Sequence, residues 1–434
     1  MDRDAIVRLD KRHVWHPYTP MDAWAGEDPI VVARAKGAWL EDADGKRYLD
    51  GNSSWYVAGL GHGHPRILRA MQEQAATLAH CALAGIAHEP AARLAEELVA
   101  IAPRGLERVF YVDDGSTAID AAVKMCVQGR RQLGHERRTR FVALDGAYHG
   151  DTLGAVSLGG AEVFRRPYAG VTFECVHAPF PEAGAYERAF GAMKKLLQDE
   201  GDTIAAVFVE PVVQGVAGMR FYDPAYLREL RALCDESDVW LVFDEVFSGY
   251  GRTGRMWASE HAGVAPDILC IGKAFAAYVP MAAVLANERV FGAFRGGRER
   301  AFFHGHTFCG NPLGAAMARE VLAVFRDERV LEQVAAHAPV LERAFARVAA
   351  LPGVERVRTL GMIGAADLAV DGRGAGYLAD VGWRVYAEAR RRGAYLRPLG
   401  STVYVTPPLT IEPGELSQLL SIFEESVRAV VTGA

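Results

Sequence analysis

Two apolar runs of the sequence each end in a side chain able to take part in chemistry. The run VWLVFDE (239–245) ends in Asp244 and Glu245, and DILCIG (267–272) is followed at once by Lys273. A lysine at the end of a buried strand is expected to have a depressed pKa, and its neutral amine is a nucleophile. A buried carboxylate needs a partner, so Asp244 is either a structural cap or salt bridge, or part of a reactive site.

Two further strand ends add polar groups. The run RVFYV (108–112) leads into Asp114, Gly115 and Ser116, where a helix is predicted to begin. A glycine turn before a helix offers free backbone N–H groups that suit a phosphate, although a plain helix cap has the same pattern. A carboxylate at Asp114 is compatible with a phosphate only when it turns away. The run IAAVFVE ends in Glu210, which is either structural or part of the same site.

These groups match the needs of one cofactor. In parallel sheets the carboxyl ends of the strands meet at one edge, so we expect Asp244, Lys273 and the helix start at Ser116 to lie together. Pyridoxal phosphate needs a lysine for its aldehyde, a carboxylate to keep its pyridine nitrogen protonated, and a site for its phosphate. The sequence therefore predicts a site for pyridoxal 5′-phosphate.

The elements that must position these residues follow a regular order. From about residue 65 short apolar runs alternate with helical patterns, which predicts an α/β fold with a mostly parallel sheet covered on both faces. We predict an N-terminal arm (1–64) without a sustained helical period that contributes to the small domain and the active site. A large domain (65–330) and a smaller α+β C-terminal domain (331–434) are predicted to follow.

Composition excludes several classes of function. The chain of 434 residues has a formal net charge of −6 and no basic run, so nucleic acid is not an expected partner. Six scattered cysteines without a C-x-x-C pair, and no apolar segment typical of a signal peptide or membrane helix, predict a cytoplasmic protein without membrane contact. Closely spaced histidines such as His304 and His306 lack an accompanying carboxylate or thiolate cluster, so no metal is expected.

Several longer stretches resemble one family. FDEVFSGYGRTGRMW and APDILCIGKAF, with DDGSTAIDAAVKM, DGAYHGDTLGAVS, VEPVVQGVAGM and HGHTFCGNPLGAA in the same order, resemble class III aminotransferases. The resemblance implies a fold type I transferase dependent on pyridoxal phosphate. It also implies a homodimer with shared active sites, in which Thr307 reaches the phosphate in the neighbouring subunit.

Within that class, RHVWHPYTPM, NSSWY and YLRPLGSTVYVTPP resemble the biotin-pathway members, which convert 7-keto-8-aminopelargonate into 7,8-diaminopelargonate. The resemblance implies that Lys273, Asp244 and Tyr148 are catalytic, and that Arg397 holds the far carboxylate of the keto acid. The implied cofactor contacts are Gly115, Ser116, Tyr148, His149, Glu210, Asp244, Lys273 and Thr307. The implied substrate contacts are Tyr18, Trp55, Tyr148, Asp151, Lys273, His306, Arg397 and Tyr404.

Two departures from the family pattern bear on function. Members that use S-adenosylmethionine commonly have proline at the position of His306, so the amino donor stays open between S-adenosylmethionine and lysine. The loop KAFAAYVP is one residue shorter than usual and has Ala277 where glycine is common, which predicts a displaced loop beside Lys273. The alternatives are an aminotransferase for ω-amino acids or diamines, and a non-catalytic protein that binds the cofactor.

Overall fold

The computed structural model describes residues 2–369 and 376–433. The helices in these ranges are α1 Arg3–His13, α2 Met21–Gly26, α3 Ser53–Tyr56, α4 Pro65–Thr77, α5 Glu89–Ile101, α6 Gly115–Gln132, α7 Leu153–Leu158, α8 Glu162–Arg165, α9 Tyr186–Glu200, α10 Ala225–Glu236, α11 Glu288–Phe291, α12 Pro312–Asp327, α13 Val330–Val348, α14 Val381–Arg392 and α15 Pro413–Thr432. The strands are β1 Val32–Lys36, β2 Trp39–Asp42, β3 Arg47–Asp50, β4 Leu106–Val112, β5 Arg140–Leu144, β6 Cys175–Ala178, β7 Ile204–Val209, β8 Val213–Gln214, β9 Arg220–Phe221, β10 Trp240–Asp244, β11 Ile268–Ile271, β12 Ala282–Asn287, β13 Val354–Leu360, β14 Ile363–Leu368, β15 Ala394–Tyr395 and β16 Thr402–Val405.

A seven-stranded sheet forms the centre of the fold, in the order β4-β12-β11-β10-β7-β5-β6. Strand β12 is antiparallel to both of its neighbours, and the other six strands run in one direction. Every residue of β7, β10 and β11 is buried, which explains why these runs are apolar without alternation. The predicted α/β fold with a mostly parallel sheet is confirmed.

Helix α6 connects this sheet to the site. It packs against β10, β11 and β12, so its N-terminus lies at the carboxyl edge of the parallel strands. The carboxyl ends of β10 and β11 carry Asp244 and Lys273, as the sequence predicted. None of the helices in the described ranges is long and apolar enough to cross a bilayer.

In the described residues, two further sheets of three and four strands lie outside the central one, besides the short β8-β9 pair. Strands β13, β14 and β16 form an antiparallel sheet against which α13 packs, and α13 also contacts α15. Strands β1, β2 and β3 of the predicted arm form a second sheet, which is completed by β15, parallel to β3. The arm and the C-terminal part of the chain are therefore joined, while the division into domains at residue 330 stays a prediction.

One helix of the arm was not predicted. The arm as a whole lacks a sustained helical period, yet Arg3–His13 forms a helix. None of its side chains is buried, and its large apolar residues, Ile6, Val7 and Leu9, stand among six charged ones, so the pattern is easily missed. Polar contacts stabilise it instead: the Asp2 side chain caps its N-terminus, and Arg3 pairs with Asp28.

Candidate active site

A cavity of about 570 Å³ lies at the carboxyl edge of the central sheet. Eight of the fourteen predicted cofactor and substrate contacts line it: Trp55, Gly115, Ser116, Tyr148, His149, Glu210, Asp244 and Lys273. Five more lie beside it and are described below, whereas Thr307 lies on an exposed turn and is not among the lining residues.

Lys273 begins a single 3-10 turn directly after β11. Its amine has no hydrogen bond or ion pair with any residue in the described ranges, and Nζ lies 5.2 Å from the ring centre of Tyr56 and 5.9 Å from that of Phe247. Burial lowers the pKa of this amine, and the negative charges of Asp244 and Glu210 oppose that shift in part. The geometry leaves Lys273 free to act as a nucleophile or a base.

Asp244 has the partner that its burial requires. Its Oδ2 lies 2.8 Å from His149 Nδ1, and its Oδ1 accepts a hydrogen bond of 3.0 Å from the backbone N–H of Val246. Burial alone lowers the pKa of His149, but the hydrogen bond and the charge of Asp244 outweigh it and the net shift is upward. The hydrogen bonds with His149 and Val246 thus give the buried carboxylate of Asp244 the polar partners that it needs.

Glu210 is a second buried carboxyl group in the cavity wall. It accepts hydrogen bonds from the backbone N–H groups of Tyr148, at 3.1 Å, and Gly215, at 2.9 Å. Burial raises the pKa of Glu210 to about 7, despite the opposing effect of His149. It therefore fixes the backbone that carries Tyr148 and titrates near neutral pH.

The start of α6 forms a small cradle. Asp114 is the N-cap, and its Oδ1 accepts a hydrogen bond of 2.9 Å from Thr117 N, so this carboxylate is engaged by its own helix. A Cβ on Gly115 would lie 2.5 Å from a methyl carbon of Val246, and only glycine fits there. The helix starts at Gly115, one residue before the predicted position. Its free N–H groups and dipole suit an anion.

Tyr148, Asp151 and Tyr18 form a polar cluster at one side of the cavity. The Tyr148 hydroxyl donates to Asp151 Oδ2 at 2.7 Å, the Tyr18 hydroxyl bonds the same oxygen, and the two hydroxyls lie 3.3 Å apart. Burial raises the pKa of Asp151. The structure thus brings together three predicted substrate contacts: Tyr18 of the arm, and Tyr148 and Asp151 from the loop after β5 of the central sheet.

Arg397 lies at another side, next to Trp55. Its guanidinium carbon is 5.3 Å from the ring centre of Trp55 and 5.3 Å from that of Trp383. No carboxylate in the described ranges pairs with this guanidinium, so its in-plane N–H groups are available to a ligand. No pattern in the sequence pointed to Trp383, because its contact depends on how α14 returns to the arm.

The segment between these two sides has an uncommon backbone. Four successive residues other than glycine, Ser53 to Tyr56, have φ between 45° and 71°, and we call this segment the left-handed turn. Such a conformation costs about 1–2 kcal/mol per residue. The sequence singled out Trp55 in this turn but missed Tyr56, whose hydroxyl donates to that of Tyr404 at 3.0 Å.

His306 lies at the rim of the site. Its Nδ1 is 3.1 Å from Asp113 Oδ2, and Asp113 lines the cavity. The ring of His304 lies 5.0 Å away. No group of histidine, cysteine and acidic residues in the described ranges could hold a metal ion.

The loop after Lys273 takes a glycine-like conformation without glycine. Ala277 has φ 50° and ψ −102°, a region that L-residues seldom occupy. Tyr278 anchors the loop, because its hydroxyl donates to Gly61 O and accepts from His64 N, each at 2.8 Å. The predicted displacement of this loop stays a prediction.

The cavity fits pyridoxal phosphate. The unpaired amine of Lys273 can bind the aldehyde, and the carboxylate of Asp244 can bind the protonated pyridine nitrogen. The free N–H groups at Gly115 and Ser116 suit the phosphate. These are the three elements that the sequence predicted, and one cavity contains all of them.

Comparisons with known proteins agree with this geometry. The model of the family "Aminotransferase class-III" matches residues 21–427. An adenosylmethionine-8-amino-7-oxononanoate aminotransferase of Nitratidesulfovibrio vulgaris is 42% identical over 99% of this chain and 82% of its own. The crystal structure of the enzyme of that name from Methanocaldococcus jannaschii superposes with a TM-score of 0.94 at 32% identity, over 98% of this chain and 99% of that one.

The name of a third similar protein includes the cofactor. It is an amine transaminase from an uncultivated Pseudomonas species in the PLP-bound form, with a TM-score of 0.90 and 32% identity over 96% of this chain and 99% of that one. The family match, the relatives and the cavity agree on one class of enzyme. The chain belongs to the class III aminotransferases, and its cofactor is pyridoxal 5′-phosphate.

Proposed function

We propose that this aminotransferase converts 8-amino-7-oxononanoate (7-keto-8-aminopelargonate) into 7,8-diaminopelargonate, a step of biotin synthesis, with S-adenosylmethionine as amino donor. The printed names of the relatives support this substrate and this donor. The observation that carries the proposal is the Arg397 guanidinium, which has no carboxylate partner in the described ranges and lies against Trp55 at the cavity rim. A keto acid with a distant carboxylate matches that arrangement.

The residues around the cofactor have separate tasks. When bound, pyridoxal phosphate supplies a conjugated ring that takes up the electron pair released at the reacting carbon. Asp244, supported by His149, holds the proton on the pyridine nitrogen. Lys273 would hold the aldehyde of the bound cofactor, and its amine, whose pKa burial lowers, would take up and return the proton at the donor Cα.

Substrate binding uses the two sides of the cavity. Arg397 binds the carboxylate of the keto acid, and Trp55 covers the intervening chain. Asp151, held by Tyr148 and Tyr18, lies where the amine of the keto acid enters. The polar cluster and the guanidinium therefore recognise the two charged groups of one molecule.

A homodimer completes the proposal. Thr307 lies on an exposed turn, flanked by Phe303 and Phe308, which are 73% and 55% exposed. Exposed aromatic side chains of this size are typical of a surface that another chain covers. In the dimer, Thr307 binds the cofactor phosphate of the other subunit. The six cysteines are unpaired, which supports a reducing, cytoplasmic location.

A half-reaction tests the function. Purified holoenzyme is mixed separately with S-adenosylmethionine, lysine, β-alanine and putrescine while the absorbance of the bound cofactor is followed, and 8-amino-7-oxononanoate is then added. We expect S-adenosylmethionine to bleach the absorbance and the keto acid to restore it. Bleaching by lysine would change the donor only. Bleaching by β-alanine or putrescine, without recovery, would contradict the proposal and favour an ω-aminotransferase.

Two variants serve as controls in the same assay. Lys273→Ala should abolish turnover while the cofactor still binds, because the phosphate and pyridine contacts remain. Lys195→Ala, which removes an exposed lysine paired with Asp199 on α9, should retain full activity. Substantial turnover by Lys273→Ala would contradict the assignment.

A further inference from the structure

The left-handed turn connects the two ends of the cavity through adjacent side chains. The Tyr56 ring centre lies 5.2 Å from Lys273 Nζ, and the Trp55 ring centre lies 5.3 Å from the guanidinium carbon of Arg397. Two adjacent residues thus contact the two ends of the cavity: Tyr56 lies beside the amine of Lys273, and Trp55 lies beside the guanidinium of Arg397. The backbone conformation at Trp55 and Tyr56 therefore influences the distance between the Lys273 amine and the Arg397 guanidinium.

The turn cannot keep this conformation by itself. Side chains other than glycine disfavour positive φ, and here four in succession adopt it. A conformation of this kind persists only where its surroundings hold it. The groups that hold the turn therefore control the relative position of the Tyr56 and Trp55 rings.

Asp50 is the main group on the buried side. Its side chain is fully buried, and its Oδ2 accepts from Ser54 Oγ at 2.8 Å and lies 2.9 Å from His62 Nε2. Its Oδ1 accepts from the backbone N–H of Asn52 at 3.2 Å. A second contact, from Ser53 Oγ to Thr406 O at 2.7 Å, ties the turn to the C-terminal part. Asp50 thus binds the residue before the turn and the second residue within it.

The same segment also fixes the carboxylate-binding side. Asn52 Oδ1 accepts a hydrogen bond of 2.6 Å from the backbone N–H of Arg397. Asp50 holds Asn52, and Asn52 holds the backbone of Arg397, so one chain of contacts reaches from the buried carboxylate to both rings and to the guanidinium. None of these contacts touches the reacting atoms.

We propose that Asp50 is a positioning residue that selects substrates by the distance between their reacting carbonyl and their carboxylate. It does so by holding the left-handed turn, which keeps Tyr56 under Lys273 and Trp55 on Arg397. The proposal rests on the proposed function for the identity of the keto acid, but the length selection is a property of the cavity and is measurable without turnover.

The test measures binding of unreactive carboxylates to the holoenzyme by calorimetry. Straight-chain acids from pentanoate to undecanoate are titrated into the wild type, Asp50→Asn, Ser54→Ala and Asp42→Asn. We expect the wild type to show an affinity maximum at one chain length. In Asp50→Asn and Ser54→Ala the affinity at that length should fall about tenfold and the dependence on length should flatten.

Asp42→Asn is the matched control. Asp42 ends β2 of the same sheet as Asp50, is likewise buried, and accepts hydrogen bonds from Tyr48 OH and from the N–H groups of Asp44 and Lys46. It does not touch the left-handed turn. We expect this variant to lose stability but to keep the wild-type length maximum. Ser54 is exposed, so its truncation leaves the core intact.

Steady-state kinetics with 8-amino-7-oxononanoate gives a second measurement. A positioning role predicts that KM rises about tenfold in Asp50→Asn while kcat changes much less, because the reacting atoms keep their groups. A wild type without a length maximum, or variants that keep it, would overturn the proposal. A length maximum without turnover of this keto acid would instead reject the proposed function alone.

Discussion

His149 Nδ1 lies 2.8 Å from Asp244 Oδ2, and both side chains are buried at the carboxyl edge of the central sheet. The pair gives Asp244 a hydrogen-bonding partner at Oδ2, while the backbone N–H of Val246 donates to Oδ1. Replacing Asp244 with asparagine keeps its shape but removes the charge that holds the pyridine proton. We expect kcat of Asp244→Asn to fall about a hundred- to a thousandfold, as measured in single-turnover mixing.

The control for that variant is Asp267→Asn. Asp267 is also buried and bonds Arg231 and the backbone N–H of Leu241, but it lies at the opposite end of β11. Its replacement should lower the melting temperature and leave the turnover rate of the folded enzyme unchanged. Equal losses of kcat in both variants would show that the effect of Asp244 is structural.

Stability should depend on pH through Glu245. Burial raises the pKa of Glu245 to about 7, above the reference value of 4.5, although Ser259 N and Ala258 N donate to it. Below both values the group is protonated in both states and has no effect. As pH rises from about 4.5 to 7, the unfolded chain loses the proton first, so the folded state is progressively destabilised, by up to ~3 kcal/mol.

The variant Glu245→Gln cannot titrate and should lack this decline. It loses a hydrogen bond at every pH, so the wild type should be more stable at low pH, and that advantage should shrink as the pH rises towards 7. Thermal unfolding across this range measures the difference. Glu236→Gln, at an exposed position at the end of α10, should follow the wild type; a constant gap between wild type and Glu245→Gln would contradict the prediction.

Ala277 has a backbone conformation that glycine adopts more easily. We expect Ala277→Gly to raise the free energy of unfolding by about 1 kcal/mol, since the relief of strain exceeds the entropy lost by glycine. Denaturant unfolding measures the change. Ala276→Gly is the matched control at the preceding buried residue, which has no positive φ, and it should be destabilised.

Binding of the keto acid should require the planar guanidinium of Arg397 and not only its positive charge. Arg397→Lys keeps the charge but loses the paired N–H donors and the broad contact with Trp55 and Trp383. We expect KM for the keto acid to rise about ten- to a hundredfold. Arg391→Lys, an exposed position at the end of α14 paired with Glu388, should be neutral in the same assay.

Part of this site could be predicted because its chemistry lies at strand ends. Asp244 is the last residue of a buried strand, and Glu210 and Lys273 follow buried strands within two residues. A parallel sheet brings such ends together whatever the loops do. Hydrophobic patterning was therefore sufficient to place them in one cavity. The resemblance to class III aminotransferases supplied Tyr18, Asp151 and Arg397, which lie on loops where patterning carries no information.

Other features could not be predicted, and the reasons are physical. The left-handed turn contradicts the local preference of every residue in it and depends on the contacts of Ser54 with buried Asp50 and of Ser53 with distant Thr406. Trp383 reaches Arg397 because α14 returns beside the arm, which depends on the complete tertiary fold. Helix α1 has no buried side chain and only a short apolar pattern among charged residues, so it was not recognised.

The pairing of β3 with β15 has a consequence for how the enzyme matures. Leu49 of the arm aligns with Ala394, so the sheet beneath the left-handed turn is incomplete until β15 has been synthesised, about 345 residues after β3. The strands of the central sheet need no such delay, because their partners all lie between residues 106 and 287. The lysine end of the cavity can thus form once residue 287 has been synthesised, whereas the end that recognises the carboxylate forms only after β15 has followed.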